Sequence, residues 1–266
     1  MQPFVIGQYL PGKSLLHRLD PRAKLLFVFG FMILIFLSNN LESYCLLLCF
    51  TIISVFFSRI SLVYFIKALK PVLFLILLTT FLHLFFTKGT EQTALWTNPL
   101  FTIYQEGVIQ AVFISLRFIL LIFVASLLTF TTSPVDITDG LENLLTPLKA
   151  VKVPTHEIAL MMSIALRFIP TLWEETEKIR KAQLARGAKL ESGSLWTRLK
   201  SYLPILIPLF LSAFRRAEEL AFAMESRCYR GGEGRTKYRL LQYGIADFLL
   251  LLLFFALVGI LLLVRT

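Results

Sequence analysis

Two related segments decide how this chain is organised: RFIPTLWEETEKIRKAQLARGA (Arg167 to Ala188) and FRRAEELAFAMESRCYRGG (Phe214 to Gly232). When Arg186 is superposed on Arg227, the offset is 41 residues, and acidic and apolar positions of the two segments coincide as well. Each segment predicts a helix that ends in a small residue, an arginine and another small residue. The rest of the chain is more apolar than these two segments.

The composition indicates a polytopic membrane protein. Of the 266 residues, 56% are hydrophobic and 17% are charged, and the mean hydropathy is +0.73. A soluble domain carries about a quarter charged residues. The N-terminus lacks the basic, apolar and small-residue order of a cleaved signal peptide, so we expect the first apolar run to remain as a membrane helix.

Five apolar runs predict five membrane-spanning helices, four before the paired segments and one after them. They are Lys24–Leu37, Ser43–Phe57, Pro71–Phe86, Gly107–Phe130 and Tyr243–Val264. The sequence thus predicts an all-α fold with membrane helices in residues 1–130, a domain outside the bilayer in residues 131–240, and a last membrane helix in residues 241–266. Within the middle domain, Ser133-Pro134 breaks the chain before a short amphipathic helix.

The distribution of basic residues predicts the orientation. Residues 174–239 hold 14 Lys/Arg against 8 Asp/Glu, which is six of the net charge of +10. Cytoplasmic segments carry such an excess and rest on anionic lipid, so we expect the N-terminus and the middle domain in the cytoplasm. His156–Ile169 is then a shallow or re-entrant helix. Nucleic-acid binding is not expected, because no binding module accompanies the charge.

The paired segments have the properties of helices that are stable outside a membrane. Acidic residues come early in the first and basic residues late, with pairs Glu174–Lys178 and Glu177–Lys181 at i,i+4 spacing. Gly187 is suited to the left-handed conformation that ends a helix. Each helix also has a partner-facing apolar surface, formed by Leu172, Ile179 and Ala182 in the first and by Phe214, Ala217, Ala221 and Met224 in the second.

The terminal arginines have two readings. One arginine at a helix end is commonly a solvated charge that complements the helix dipole. Its repetition in two related segments favours binding to two equivalent receptors through carboxylates, which the planar guanidinium pairs with in a bidentate way. A second echo, ISLRFIL and IALRFIP, places Arg117 inside an apolar run. Arg117 either faces protein at membrane depth and is functional, or reaches to an interface; for Arg167 we favour the interface.

At these residues the chain resembles the transmembrane T component (EcfT) of energy-coupling-factor (ECF) transporters, over essentially its whole length. The resemblance rests on the N-terminal pattern Ser14-x-x-His17-x-x-Asp20-Pro21-Arg22-x-Lys24, on the Ser133-Pro134 break and on Ala185-Arg186-Gly187. The second family motif has a small residue on each side of its arginine. Here it is Ser226-Arg227-Cys228, which departs from the commoner alanine and glycine form.

The resemblance implies a non-catalytic subunit with two long crossed coupling helices, which joins two ABC-type ATPase subunits to a substrate-binding membrane S component. The implied ATPase contacts are Ala185, Arg186, Gly187, Ser226, Arg227 and Cys228. The implied S-component surface is the apolar one named above. ATP and Mg²⁺ are implied to bind the partner ATPases, and no cofactor is implied to bind this chain. The whole complex is implied to take up vitamins or other micronutrients through a prokaryotic plasma membrane.

Two alternatives remain. A membrane enzyme needs a site, and Asp136-x-x-Asp139 offers only two carboxylates for a metal, which more simply cap the short helix. No Gly-x-Ser-x-Gly, His-Glu-x-x-His or Walker A sequence is present. A self-contained permease with Arg117 on its pathway is the other alternative. The sequence does not indicate the transported substrate, because the S component selects it in the resembled family.

Overall fold

The architecture is helical apart from one β-hairpin, in a computed structural model that describes residues 9–87, 94–98, 101–151, 153–188, 194–231 and 241–265. The helices are α1 (Leu15–Arg18), α2 (Pro21–Leu37), α3 (Leu41–Ser58), α4 (Leu62–Phe86), α5 (Gln105–Thr131), α6 (Pro134–Leu144), α7 (Thr155–Ala185), α8 (Leu195–Ser226) and α9 (Ile245–Arg265), with a 3₁₀ turn at Thr146–Val151. The described residues form two compact units, one between Glu142 and Leu240 and the other between Gly7 and Leu141 together with Leu241 onward.

Four described helices, α3, α4, α5 and α9, are long and apolar enough to cross a membrane. In the apolar window of α4 only 6% of the residues are buried, which suits a surface that faces lipid. Helix α2 has 17 residues, about 25 Å, and is shorter than the ~20 residues of a typical span. The fifth crossing therefore stays a prediction.

The loop predicted between the third and fourth spans contains a short antiparallel hairpin. Strand β1 (Ala94–Asn98) pairs with β2 (Phe101–Tyr104), with Asn98 opposite Phe101. Aromatic and β-branched residues, which favour extended backbone, make up much of this stretch of sequence. The hairpin was not predicted, because the sequence between the third and fourth apolar runs indicated only a loop.

Several helix boundaries predicted at prolines are wrong. Helix α4 begins nine residues before Pro71 and includes Lys67 and Lys70, so the predicted span Pro71–Phe86 is the later part of a longer helix. Helix α7 continues through Pro170, so the predicted shallow helix and the first coupling helix are one element. Helix α8 likewise continues through two prolines, Pro204 and Pro208. Proline removes one intrahelical hydrogen bond, and in each case the residues on both sides of the proline continue the helix.

The unit formed by Gly7–Leu141 and Leu241 onward holds the candidate membrane spans and is called the membrane unit below. Its core lies where α2, α3, α5 and α9 meet. Its most buried side chains are Phe31, Ile35, Tyr44, Leu47, Leu120 and Leu261. Gly30 allows α9 to approach α2 closely, because a Cβ atom there would lie 2.5 Å from Cζ of Phe254. The aromatic ring of Phe254 therefore occupies the place of a side chain on α2.

The N-terminal pattern Ser14 to Lys24 joins helix ends in the membrane unit. Asp20 caps α2 by accepting the Arg22 N–H at 2.9 Å, as the Asp-Pro pair predicted. The Asp20 N–H in turn donates to the Asp247 carboxylate at 2.8 Å, and that carboxylate also accepts the Gly244 N–H at 2.7 Å. One acidic side chain thus ties the starts of α2 and α9 together.

Lys24 satisfies the end of α5 in the same region. Its ammonium donates to the Thr131 carbonyl at 3.0 Å and to Thr132 Oγ1 at 3.2 Å, and the residue is 5% exposed. The last carbonyls of a helix have no partner within the helix, so a buried cation fills that role well. In the sequence, Lys24 was part of the N-terminal pattern, but its role in binding the end of α5 was not predicted.

Arg117 faces protein. Its guanidinium donates to the buried Tyr44 hydroxyl at 2.9 and 3.1 Å and to the Ser38 carbonyl at 3.4 Å, and it lies over the Phe36 ring. These contacts show that Arg117 lies against protein rather than reaching to an interface. They join the middle of α5 to the turn between α2 and α3.

Candidate functional site: two helices with arginine ends

Helices α7 and α8 form an antiparallel pair. Arg216 Nη2 donates to Glu175 Oε2 at 3.2 Å, and Gln183 Nε2 donates to the Pro204 carbonyl at 3.5 Å. From Glu175 to Gln183 the chain runs forward along α7, while the residues that they contact, Arg216 and then Pro204, run backward along α8. The end of α7 lies toward the start of α8, and the reverse holds at the other end.

The Glu175–Arg216 contact joins equivalent residues of the two related segments. Their separation of 41 residues is the same offset that superposes Arg186 on Arg227. When equivalent residues of two antiparallel helices contact each other, an approximate twofold axis passes through that contact. Each terminal arginine lies 11 residues beyond it on its own helix, about 16 Å along the axis. The two helix ends are thus equivalent and point in opposite directions.

Helix α7 ends in a Schellman motif around Arg186. Gly187 has φ of +84°, which confirms the left-handed conformation predicted for it, and donates its N–H to the Leu184 carbonyl at 3.0 Å. The Ala188 N–H donates to the Gln183 carbonyl, also at 3.0 Å. These two bonds satisfy the last carbonyls and turn the chain away from the helix.

Helix α8 ends in the same motif around Arg227. Cys228 has φ of +57° and donates its N–H to the Glu225 carbonyl at 2.9 Å, and the Tyr229 N–H donates to the Met224 carbonyl at 3.0 Å. The small residue after the arginine therefore takes the same left-handed conformation in both helices. In α8 that residue has a side chain, which makes the conformation less favourable.

The two arginine side chains are available to a partner. Arg186 and Arg227 follow directly after the last helical residue, and both are exposed. Across the described parts of the chain, neither guanidinium makes an ion pair or hydrogen bond. Ala185, Gly187, Ser226 and Cys228 are also exposed, so each arginine lies between small side chains on an open helix end.

The ion pairs of α7 differ from those predicted. Glu177 accepts two hydrogen bonds from Arg180, at 3.0 and 3.1 Å, in an i,i+3 pair rather than binding Lys181. The hydrogen bond from Arg180 lowers the pKa of the Glu177 carboxyl, with a smaller contribution from the charge of Lys181. The bidentate geometry favours Arg180 over the more distant ammonium.

A groove between α7 and α8 brings together part of the predicted apolar surface. It has a volume of about 310 Å³ and is lined by Leu172, Ala217, Ala221 and Met224, with Ile164, Phe168, Ala213, Arg216 and Leu220. The other predicted residues do not line the groove: Ile179 is half-buried, Ala182 is exposed, and the exposed Phe214 makes an edge-to-face contact with Phe210, with 4.6 Å between ring centroids. The predicted surface is thus divided between the groove and the outside of the pair.

One of the two carboxylates considered for an enzyme site, Asp136, serves the short helix. Ser133 Oγ accepts the Asp136 N–H at 3.1 Å and donates to the Asp136 carboxylate at 2.7 Å, which closes the first turn of α6. Among the described residues, no group of three or more His, Cys, Asp or Glu side chains is arranged to hold a metal ion.

Comparison with known proteins gives one consistent result. A family model described as "CbiQ: Cobalt transport protein" matches residues 12–238. Three similar proteins are each described as "Energy-coupling factor transporter transmembrane protein EcfT". They come from Brevibacillus brevis (59% identical over 247 residues, 93% of this chain and 92% of the relative), Bacillus subtilis (53% over 243 residues, 91% of each) and Listeria innocua (48% over 266 residues, 100% of each).

Proposed function

The chain belongs to the EcfT family of energy-coupling factor transporter transmembrane proteins, and we propose that it couples two ABC-type ATPase subunits to a membrane S component. In this role it transmits ATP-driven motion for the uptake of a vitamin or another micronutrient. The observation that carries the proposal is the pairing of Glu175 with Arg216 at the approximate twofold axis. Two equivalent helix ends suit two similar receptors.

Each arginine has the chemistry of a docking point for one ATPase. The guanidinium of Arg186 or Arg227 is exposed beyond a rigid helix end, with small residues on both sides. A groove on a soluble partner can therefore enclose the helix end, and a carboxylate in that groove can bind the guanidinium in a bidentate way. We assign Arg186 to one ATPase subunit and Arg227 to the other.

The S component is expected on the apolar surfaces of the α7–α8 pair. The groove between them accepts apolar side chains, and α8 also exposes large apolar residues along much of its length. These include Leu206, Ile207, Phe210, Leu211, Phe214 and Phe222, each more than half exposed. A contiguous apolar surface of this kind is typical of protein or membrane contacts. The substrate is chosen by the S component, so it is not assigned.

The orientation follows from charge. We place the N-terminus and the α7–α8 pair in the cytoplasm of a prokaryotic cell, because most of the basic excess lies in residues 174–239. The ATPases supply the ATP and Mg²⁺ sites, and this chain binds no cofactor. The self-contained permease loses its main support, because Arg117 is held by Tyr44 and Ser38.

Co-purification tests the proposal. The chain is expressed with its two ATPase subunits and an S component, purified in mild detergent, and the retained ATPase is quantified. We expect Arg186→Glu and Arg227→Glu each to weaken retention, and the double variant to abolish it. Arg215→Glu, the same change at an exposed residue of α8, is the matched control and is expected to retain both ATPases. Full retention by the double variant contradicts the proposal.

A further inference from the structure

Two adjoining cavities meet at the turn between α3 and α4. The first, of about 340 Å³, is lined by Lys13 and other residues of the N-terminal arm, and by Ser58, Arg59, Ser61 and Tyr64 around the turn. The second, of about 530 Å³, is almost entirely apolar and is lined by Ile52, Val55, Phe56, Phe57, Leu62 and Phe123. Arg59 and Ile60 line both cavities, so a polar compartment and an apolar one share a border.

The polar compartment is positively charged. Lys13 and Arg59 are exposed, no Asp or Glu lines the cavity, and neither cation has an ion pair across the described ranges. Ser58 Oγ accepts the Ile60 N–H at 3.2 Å and donates to the Val55 carbonyl at 2.6 Å, which fixes the turn that carries Arg59. The cation is thus presented by a preformed turn.

The start of α4 adds unsatisfied donors to the same compartment. Ser61 is the N-cap residue, but its side chain makes no capping hydrogen bond to the helix. Ser61 and Tyr64 line the cavity; the Tyr64 N–H donates to the Ser61 carbonyl at 3.0 Å, while the Leu62 and Val63 N–H groups have no side-chain cap. An anion placed there is stabilised both by these N–H groups and by the helix dipole.

His17 shapes the compartment rather than serving as a ligand. Its Nε2 donates to the Leu10 carbonyl at 2.9 Å, and its Nδ1 lies 2.6 Å from Ser14 Oγ. Gly12 leaves room for the imidazole, because a Cβ atom at that position would come 2.7 Å from the ring. With both ring nitrogens engaged, the cation chemistry of the cavity belongs to Lys13 and Arg59.

The apolar compartment lies on membrane-facing surface. Helices α3, α4 and α5, which line it, are all candidate membrane spans, and Phe56 and Phe57 are 80% and 51% exposed. Only residues 59–61 separate α3 from α4, so the turn between them lies at a membrane border. The apolar cavity then runs from that border toward the hydrocarbon, while the basic cavity faces the headgroup region.

We propose that this pair of cavities binds an anionic phospholipid, with its phosphate between Lys13, Arg59 and the start of α4, and an acyl chain in the apolar cavity. A basic compartment and an apolar one that share Arg59 match the two ends of such a lipid. This site is separate from the α7–α8 pair and does not depend on the function proposed for it.

Native mass spectrometry of the full chain in mild detergent tests the proposal with phosphatidylglycerol and phosphatidylcholine of equal chain length. We expect one retained phosphatidylglycerol and weaker retention of phosphatidylcholine. In a variant with both Lys13→Gln and Arg59→Gln, affinity for phosphatidylglycerol is expected to fall roughly 30-fold, the loss of two cationic contacts at a lipid surface. Arg18→Gln, at an exposed residue that does not line the cavity, is the control for the loss of a single surface charge.

A cavity-filling variant and a competing anion distinguish the contributions of the two cavities to lipid binding. Ile52→Trp is expected to weaken phosphatidylglycerol binding because the indole fills the apolar cavity, while size-exclusion elution reports that the chain is intact. Equal retention of both lipids, or unchanged binding by the Lys13/Arg59 double variant, overturns the proposal. Full displacement of the lipid by millimolar inorganic phosphate also overturns it, since the apolar cavity then contributes no binding.

Discussion

The two arginine-bearing helix ends have the same backbone but different sequences. Both close with hydrogen bonds from the two residues after the arginine, and both place the first of these in the left-handed region. That residue is Gly187 in α7 and Cys228 in α8. The two ends therefore share the helix-end geometry and not the glycine. The second motif keeps the geometry in a residue for which it is less favourable.

Charge reversal at the two ends should have the largest effect. In vesicles that contain the chain, two ATPases and an S component, Arg186→Glu or Arg227→Glu is expected to lower ATP-driven uptake at least about 30-fold. Breaking one buried charge pair at an interface costs about 2–5 kcal/mol or more. Because the ends are equivalent, we expect losses of similar size. Normal uptake by either variant would contradict a role for that end in coupling.

A bulky residue at the left-handed position should distinguish the two ends. Gly187→Val introduces a β-branched residue at φ of +84° and is expected to destabilise that helix end by about 2 kcal/mol. Cys228→Val adds less, because Cys228 already carries a side chain at φ of +57°. The measurement is amide hydrogen exchange at Ala188 and Tyr229, which should quicken more at Ala188.

Gly187→Asn is the matched control for that experiment. Asparagine adopts the left-handed conformation at lower cost than other residues with a side chain, so exchange at Ala188 is expected to change little. If Asn and Val accelerate exchange equally, the backbone conformation of Gly187 is not what holds the end of α7.

Exchanging the charges at the twofold axis should have a smaller effect. Glu175→Arg and Arg216→Glu each place like charges together at a partly exposed pair, and each is expected to cost about 0.5–1 kcal/mol. The double variant restores an opposite-charge pair and should recover most of that loss. Thermal unfolding of the purified complex measures all four states. Additive losses in the double variant would show that the two side chains do not interact.

Cys228→Gly should give the smallest change, and it is a stabilising one. Glycine adopts positive φ without the steric cost of a side chain but loses more backbone entropy on folding, so the end of α8 is expected to gain less than about 0.5 kcal/mol. Slower amide exchange at Tyr229 is the expected readout. Faster exchange there would indicate that the Cys228 side chain contributes a stabilising contact of its own.

Features set by local chemistry were predictable from the sequence. Asp20-Pro21 predicted the start of α2, and Gly187 predicted the left-handed end of α7. The offset of 41 residues related the two segments before any contact between them was known. Each of these signals depends on a residue's own backbone preference or on a repeat within the chain.

Features that depend on distant partners were not predictable. Nothing near Lys24 in the sequence indicates that its ammonium binds Thr131 and Thr132, and nothing near Asp247 indicates a contact with Asp20. A proline predicted a helix boundary, yet α7 continues through Pro170, because the loss of one intrahelical hydrogen bond does not end this 31-residue helix. The Glu175–Arg216 contact also required the structure, although the repeat had already related those two positions.

Photo-crosslinking from the two helix ends tests the central claim most directly. A photoreactive residue replaces Ala188, Tyr229 or both, one position beyond the left-handed residue, in the complex with two distinguishable ATPase subunits. We expect each single position to crosslink to a different ATPase and the doubly labelled chain to join both in one product. Crosslinking of both positions to the same subunit, or of neither to an ATPase, would contradict the account.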